Sequence, residues 1–404
     1  MKILYSIGIN IYGVLIFVAS LFNEKARLLF IGQHRAFKLL KEKVDSNARY
    51  VWFHAASLGE FEQGRPVIEQ LKREKPDIKI LLTFFSPSGY EVRKNYSGAD
   101  LVSYLPLDTP GNARYFVKLV KPSKAIFIKY EFWPNYLLAL KQANVPVFSI
   151  SAIFRSEQIF FKAYGKWYLN LVSTFNHVFV QDNESLKLLE KHGITNASIS
   201  GDTRFDRVYD LYKQAKKLPL IENFCQDKPV LVAGSSWPKD EELLVRYWRE
   251  HPNIKLILVP HEIHNSHINE ISKLLDANLI RYSEANSDNL KTANCLVVDV
   301  IGILSSIYRY ANVAYIGGGF GVGIHNILEA AVYDVPVIFG PNYQKFREAK
   351  EMIAAGGAFS INNYETLETE LDKLFNDKIA GKIAGEYVKK NTGATSQITK
   401  IIDQ

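Results

Sequence analysis

Two glutamates stand where apolar runs give way to turns. Glu60 lies in His54-Ala-Ala-Ser-Leu-Gly-Glu-Phe-Glu-Gln-Gly64, just after the run Tyr50–His54. Glu131 lies in Lys129-Tyr-Glu-Phe-Trp-Pro-Asn135, just after Ala125–Ile128. A carboxylate at the C-terminal end of a strand can take a proton from an attacking hydroxyl, and two such groups can divide base and stabilising roles. Solvated loop glutamates are the plain alternative, and spacing leaves both readings open.

A second set of residues suits an anion. Ala314–Ala331 reads as strand, glycine-rich turn and helix, a pattern in which the backbone can approach a phosphate at a helix N-terminus. Gly317, Gly318, Gly319, Gly321 and Gly323 satisfy G-x-G-x-x-G in no register. Gly318 and Gly323 have P-loop spacing, but Ile324-His325 follows instead of Lys-Ser/Thr, so a classical dinucleotide or ATP site is disfavoured. His325, Asn326 and Glu329 are expected within one helical turn, with Glu329 placed to accept bonds from ribose hydroxyls. A glycine turn with a solvated Glu is the alternative. Val232–Glu242 offers a second cradle, in which a strand ends at Gly234, Ser235 or Ser236 caps a helix, and Pro238 opens it. Capping alone also explains that stretch. His261 follows a further strand, and neither it nor His264 has metal-ligand spacing with a carboxylate. Cys225 and Cys295 supply neither a disulfide framework nor a zinc site and are expected as buried apolar fillers in a reducing compartment.

Parallel sheets must position these residues. The strand candidates are Tyr50–His54, Ile78–Phe84, Ala125–Ile128, Val145–Ser149 and His177–Val180, then Val230–Ala233, Ile254–Val259, Cys295–Val298, Val313–Ile316 and Val337–Phe339. They are rich in Val, Ile and Phe without strict alternation, as strands buried on both faces are. Helical patterns lie between them, at Gly64–Glu74, Pro134–Asn144, Glu184–His192, Asp240–Glu250, His267–Asp276 and Asn326–Tyr333. Tyr209–Lys228, a Lys-rich helical piece and loop without a core pattern, is the best boundary. The reading is an α/β protein with two Rossmann-like, doubly wound domains, over 49–208 and 229–404 with linker 209–228. The two are expected to face a cleft at their strand C-termini, and the last helix, near Ala380–Gln404, to cross back.

The 404 residues, 47% hydrophobic and 23% charged, exclude a disordered or fibrous chain and suit two or three domains. A net charge of +7 raises the question of nucleic acid, but residues 1–50 hold eight basic and three acidic groups, which is +5 of that total. The basic character belongs to one end, so no nucleic-acid partner is expected. Ile3–Phe22 is a run of twenty uncharged, mostly apolar residues, and as a helix it spans roughly 30 Å, the thickness of a hydrocarbon core. No A-x-A site follows, which favours an uncleaved anchor over a signal peptide; a buried core helix is the other alternative. Residues 24–43 mix Leu28, Leu29, Ile31 and Phe37 with Lys25, Arg27, Arg35, Lys38, Lys41 and Lys43, an interfacial pattern suited to an anionic membrane surface. Segment 1–48 is therefore read as anchor and basic interfacial segment, with the body on the cytoplasmic side of the membrane.

The chain resembles the Kdo transferases, glycosyltransferases that attach 3-deoxy-D-manno-oct-2-ulosonic acid (Kdo) to the lipid A precursor. The motifs that carry the resemblance are His54–Gly64, Lys129–Asn135, Gly201-Asp-Thr-Arg-Phe-Asp206, Gly234–Glu242 and Gly317–Pro341, in order across both halves. The resemblance implies a GT-B fold, a CMP-Kdo donor in the C-terminal half and a lipid A precursor as acceptor in the N-terminal half. It implies Glu60 as catalytic base of an inverting transfer and Glu131 as the second acidic residue. It assigns Arg204 to the donor's negative charge, and Ser235, Ser236, His325, Asn326 and Glu329 to the CMP-holding loops; Gly234, His261, Gly319 and Gly321 complete the candidate set. The chain departs from the family pattern at His261-Glu262, Asp202 and Ile153. No Asp-x-Asp occurs, and one phosphate can be held by helix N-termini and side-chain donors, so no metal or other cofactor is expected. A UDP-sugar transferase of the same architecture and an inert membrane-tethered binding protein are the alternatives.

Overall fold

The structure, a computed structural model, describes residues 2–162, 165–226, 228–276 and 279–403. The chain forms two compact units, one of Met1–Arg207 with Thr392–Gln404 and one of Val208–Asn391.

The first unit is built on seven strands: β1 (Tyr50–Ala55), β2 (Lys79–Phe84), β3 (Leu101–Tyr104), β4 (Lys124–Ile128), β5 (Val147–Ala152), β6 (His177–Val180) and β7 (Ala197–Ile199). They pair in parallel in the order β3-β2-β1-β4-β5-β6-β7. Every residue of β1 and β5 is buried, which explains their unalternating apolar sequences: side chains on both faces enter a core. One core gathers Trp52, Phe116, Phe127 and Tyr136, and the other gathers Phe53, Phe61, Ile126 and Phe179. The terminal helix Ala394–Ile402 belongs to this unit and buries Ile398 and Ile402 in the second core. Asp206 fixes its first turn by accepting bonds from Gly393 N at 2.6 Å and Thr395 N at 2.7 Å.

The second unit has seven strands of its own: β8 (Val230–Ser236), β9 (Lys255–Pro260), β10 (Ile280–Arg281), β11 (Cys295–Val297), β12 (Val313–Ile316), β13 (Val337–Phe339) and β14 (Ala358–Ser360). They are also parallel, in the order β10-β11-β9-β8-β12-β13-β14. Cys225 and Cys295 are free and buried, as their apolar surroundings require. The segment 209–228 is not coreless: the helix Pro219–Cys225 buries Ile221, Phe224 and Cys225.

Three helices bear on the first unit's site: α1 (Lys2–Ser20), α2 (Glu24–Lys43) and α3 (Leu58–Glu74). Among the described residues α1 is the one helix long and apolar enough to cross a membrane. It has two sides. Tyr5, Ile9 and Ile16 turn toward the unit, and Tyr12, at the edge of that side and 38% exposed, lays its ring on Phe85. Ile3, Leu4, Ile7, Ile11, Val14, Leu15 and Val18 are exposed. Asn23 caps α2 by accepting a bond from Ala26 N at 3.1 Å, and the last turn carries Lys41 and Lys43.

Candidate active site

In both sheets, the strands on either side of the place where the winding reverses carry the candidate residues. In the first unit these strands are β1, followed by Glu60, and β4, followed by Glu131. In the second they are β8, ending in Gly234-Ser235-Ser236, and β12, followed by Gly317–Gly323. Ligands of open parallel sheets bind outside the carboxyl ends of the strands at such switch points.

Glu60 sits in the first turn of α3 rather than in a preceding turn, because the helix begins at Leu58. Its carboxylate reaches back to accept a bond from Ala56 N at 2.6 Å, where the free N–H groups of a helix start favour an anion. Burial raises its pKa, against the lowering pull of Ala56 N–H and Lys129. Glu131 lies in the short connection after β4, preceded by Lys129 in the left-handed region at φ 61°. Burial, and then the charge of Glu60, push its carboxyl up to about 8. Burial thus raises both carboxyls, and at Glu131 the charge of Glu60 adds to the rise.

A buried polar chain lies behind Glu131. Trp133 Nε1 donates to His54 Nε2 at 2.9 Å. An indole N–H can only donate, so His54 carries its proton on Nδ1 and gives it to Thr83 Oγ1 at 2.9 Å. Thr83 Oγ1 also accepts from Trp52 Nε1 at 2.7 Å and donates to Phe53 O at 3.3 Å. Burial depresses the His54 pKa to about 3, so the ring is neutral and its 3.9 Å approach to Glu131 is not an ion pair. On the other side, Asp108 accepts bonds from Asn135 N at 3.1 Å and Tyr136 N at 2.9 Å, fastening the start of the helix Pro134–Gln142. Thr83 and Asp108 escaped the sequence reading, and Trp133 entered it only as part of the motif Lys129–Asn135. The signal for Thr83 was present, a hydroxyl inside the otherwise apolar strand Ile80-Leu-Leu-Thr-Phe84.

In the second unit, Ser235 adopts the left-handed region at φ 53°. Neither serine caps the following helix, Pro238–Glu250. Ser236 Oγ instead donates to Glu241 at 2.8 Å, and the carboxylate of Asp240 accepts from Trp237 N at 3.0 Å. Asp240 also accepts from Tyr315 Oη at 2.7 Å and Gly318 N at 3.0 Å, and so joins the ends of β8 and β12. Glu241 faces His267 Nε2 at 3.0 Å while His267 Nδ1 meets Glu262 O at 2.8 Å. Burial opposes charging of that ring, but the Glu262 carbonyl and the Glu241 carboxylate raise its pKa.

Three rings stack above these bonds: Trp237 and His261 at 4.8 Å between centroids, His261 and His325 at 4.5 Å. Trp237 Nε1 donates to His325 Nε2 at 3.2 Å, and burial followed by the neighbouring His261 lowers the His325 pKa to about 4. His325 and Asn326 precede the helix, which starts at Leu328 and holds only Glu329 of the three. Asn326 Nδ2 donates to Glu329 at 3.0 Å. Close approach explains two of the glycines. A Cβ on Gly317 would lie 2.1 Å from Ser235 O, and one on Gly319 would lie 2.5 Å from Gly340 N. Gly321 has open space around it, its nearest neighbour being Gly318 O at 3.6 Å.

Arg204 lies on the helix Thr203–Gln214 in the first unit, where its Nε donates to Asp202 at 2.8 Å. Among the described residues no three His, Cys, Asp or Glu side chains gather as a metal-ion set.

Two doubly wound parallel sheets define the GT-B architecture. The chain aligns with a solved glycosyltransferase of Rickettsia africae at a TM-score of 0.58 and 15% identity, covering 88% of this chain and 97% of that one. A family model described as 3-deoxy-D-manno-octulosonic-acid transferase (kdotransferase) matches residues 29–207. The 3-deoxy-D-manno-octulosonic acid transferase of Aquifex aeolicus is 31% identical over 84% of this chain and 89% of its own length. That of Haemophilus influenzae is 28% identical over 87% and 86%. The chain belongs to the 3-deoxy-D-manno-octulosonic acid transferase family and is a glycosyltransferase.

Proposed function

We propose that this enzyme moves Kdo from CMP-Kdo to a lipid A precursor in lipopolysaccharide biosynthesis, with inversion at the anomeric carbon. Glu60 accepts the proton of the acceptor sugar hydroxyl. The hydroxyl oxygen forms the new bond to the anomeric carbon from the face opposite the phosphate, and CMP departs with the bonding electron pair. Glu131, neutral, offers a hydrogen bond to charge that develops beside Glu60. The observation that carries this reading is the placement of the two carboxyls, Glu60 bonded to Ala56 N at a helix start and Glu131 in the connection after β4, where burial and the charge of Glu60 raise its pKa to about 8.

The second unit takes the nucleotide. The Asp240-fastened turn presents backbone N–H groups to a phosphate, the Trp237–His261–His325 stack offers a flat face, and Glu329 accepts from ribose hydroxyls. One phosphate needs no bridging cation there, so transfer is expected to persist in EDTA; loss in EDTA and recovery with magnesium would refute that point. Arg204, oriented by Asp202, lends its positive charge to the donor's negative groups. The outer face of α1 and the basic residues of α2 suit an anionic membrane surface on the cytoplasmic side of the inner membrane. Because α1 is fastened to the unit along its inner side, it meets the lipid with that outer face.

The test is incubation with CMP-Kdo and lipid A precursor followed by mass spectrometry of the lipid. A gain of Kdo mass is expected; an unchanged lipid, with the same enzyme binding CMP, would remove this reading.

A further inference from the structure

The apolar helix α1 does more than cover the first unit, since two of its tyrosines lead to the segment that carries Glu131. Tyr5 Oη donates to Asp108 Oδ2 at 2.8 Å. The same carboxylate holds Asn135 N and Tyr136 N, four and five residues beyond Glu131. Asn135 answers by donating from Nδ2 to Asp108 O at 2.6 Å. Tyr12, two turns along, stacks on Phe85 with centroids 6.2 Å apart, and Phe85 packs against Trp133 at 4.7 Å. Trp133 is the indole bonded to His54, two residues after Glu131. Tyr5 and Tyr12 therefore brace the connection Tyr130–Pro134 from both of its supports, one polar and one aromatic.

We infer that α1 is part of the catalytic apparatus, with Tyr5 and Tyr12 as positioning residues that hold the Glu131 segment in its working geometry through Asp108 and through Phe85–Trp133. Neither tyrosine touches substrate. Their effect passes through the placement of one carboxyl, where a displacement of about 1 Å is enough to cost rate on the order of a hundredfold. The inference rests on the reading of Glu131 given above. It also gives a hydrophobic N-terminal helix a reason to carry a tyrosine at the inward position 5 and another at the half-exposed position 12, where its ring meets Phe85.

The experiment compares full-length Tyr5→Phe, Tyr12→Leu, Glu131→Gln and the double variant Tyr5→Phe/Glu131→Gln on detergent-dispersed acceptor, so that membrane association does not limit the rate. Tyr5→Phe deletes one hydroxyl and is expected to lower kcat about tenfold, with KM for donor and acceptor within about twofold of the parent. Tyr12→Leu should lower kcat in the same way, and it carries the test alone if Tyr5→Phe does not fold. In the double variant, Tyr5→Phe should cost little beyond Glu131→Gln, because both act through one group. If Glu131→Gln depresses turnover while Tyr5→Phe and Tyr12→Leu keep the parent kcat, or if the double variant shows fully multiplied losses, the inference is wrong. If Glu131→Gln itself turns over normally, the reading of Glu131 fails first.

Discussion

The two units share a plan and use it differently. Both are seven-stranded parallel sheets whose winding reverses at one place, β1 beside β4 and β8 beside β12, and both carry their candidate residues after those strands. At β1 and β4 the loops carry two ionisable carboxyls, Glu60 bonded to Ala56 N and Glu131 beside His54 in a chain of indole, imidazole and hydroxyl groups. At β8 and β12 the buried carboxylates, Asp240 and Glu241, are turned inward onto a backbone N–H, a serine and a histidine. What the second unit presents instead is main chain and stacked rings. On the function proposed above, the same topology serves proton transfer in one half and anion holding in the other, and the difference would lie in whether the carboxylates are kept for substrate or spent on loop shape.

That comparison can be broken at several points. The largest effect is expected from Glu60→Gln, which keeps shape and removes the base: kcat should fall on the order of a thousandfold while CMP affinity by calorimetry stays within about twofold. Parallel loss of CMP binding would erase the division of labour. Next is the pH profile. Glu131 works protonated, and its pKa is raised to about 8, so kcat should decline as pH rises through that value; in Glu131→Gln the alkaline limb should vanish from an already slower enzyme. A smaller and opposite pattern is expected from Asp240→Asn, which places an amide against three donors: CMP affinity should weaken about tenfold, with kcat at saturating donor nearly unchanged. The smallest is Gly319→Ala, whose Cβ would meet Gly340; it should lower unfolding stability by about 1–3 kcal/mol in a thermal or denaturant melt.

Much of this was legible in the chain because buried parallel strands advertise themselves. Ten apolar runs fall on ten of the strands, including all four at the switch points. The missed strands are short and interrupted by polar residues: β10 has two residues, β7 and β14 carry a serine within three, and β3 carries Ser103 within four, whereas β11 and β13, also three long, are wholly apolar. The candidate glutamates were visible as acids just past strand ends, but not the upward shift of their carboxyls, which arises from burial and, at Glu131, also from the charge of Glu60. His325 and Asn326 looked helical by proximity to Glu329, yet Asn326 accepts a bond from Leu328 N at 3.2 Å and so ends the loop rather than joining the helix. The inward side of α1 was readable in principle from the spacing of Tyr5, Ile9, Tyr12 and Ile16. Its bond to Asp108 was not, because nothing local links residues 103 positions apart. Ile221, Phe224 and Cys225 were hidden by the lysines that precede them.

The most direct measurement is carbon-13 NMR of glutamate carboxyls across pH in the intact protein, with Glu60→Gln and Glu131→Gln identifying the two signals. The account predicts one of the pair titrating near 8 and lost in Glu131→Gln, with the other, lost in Glu60→Gln, ionising at lower pH. Both carboxyls titrating together in the ordinary range near 4.5, each unmoved by removal of the other, would contradict it.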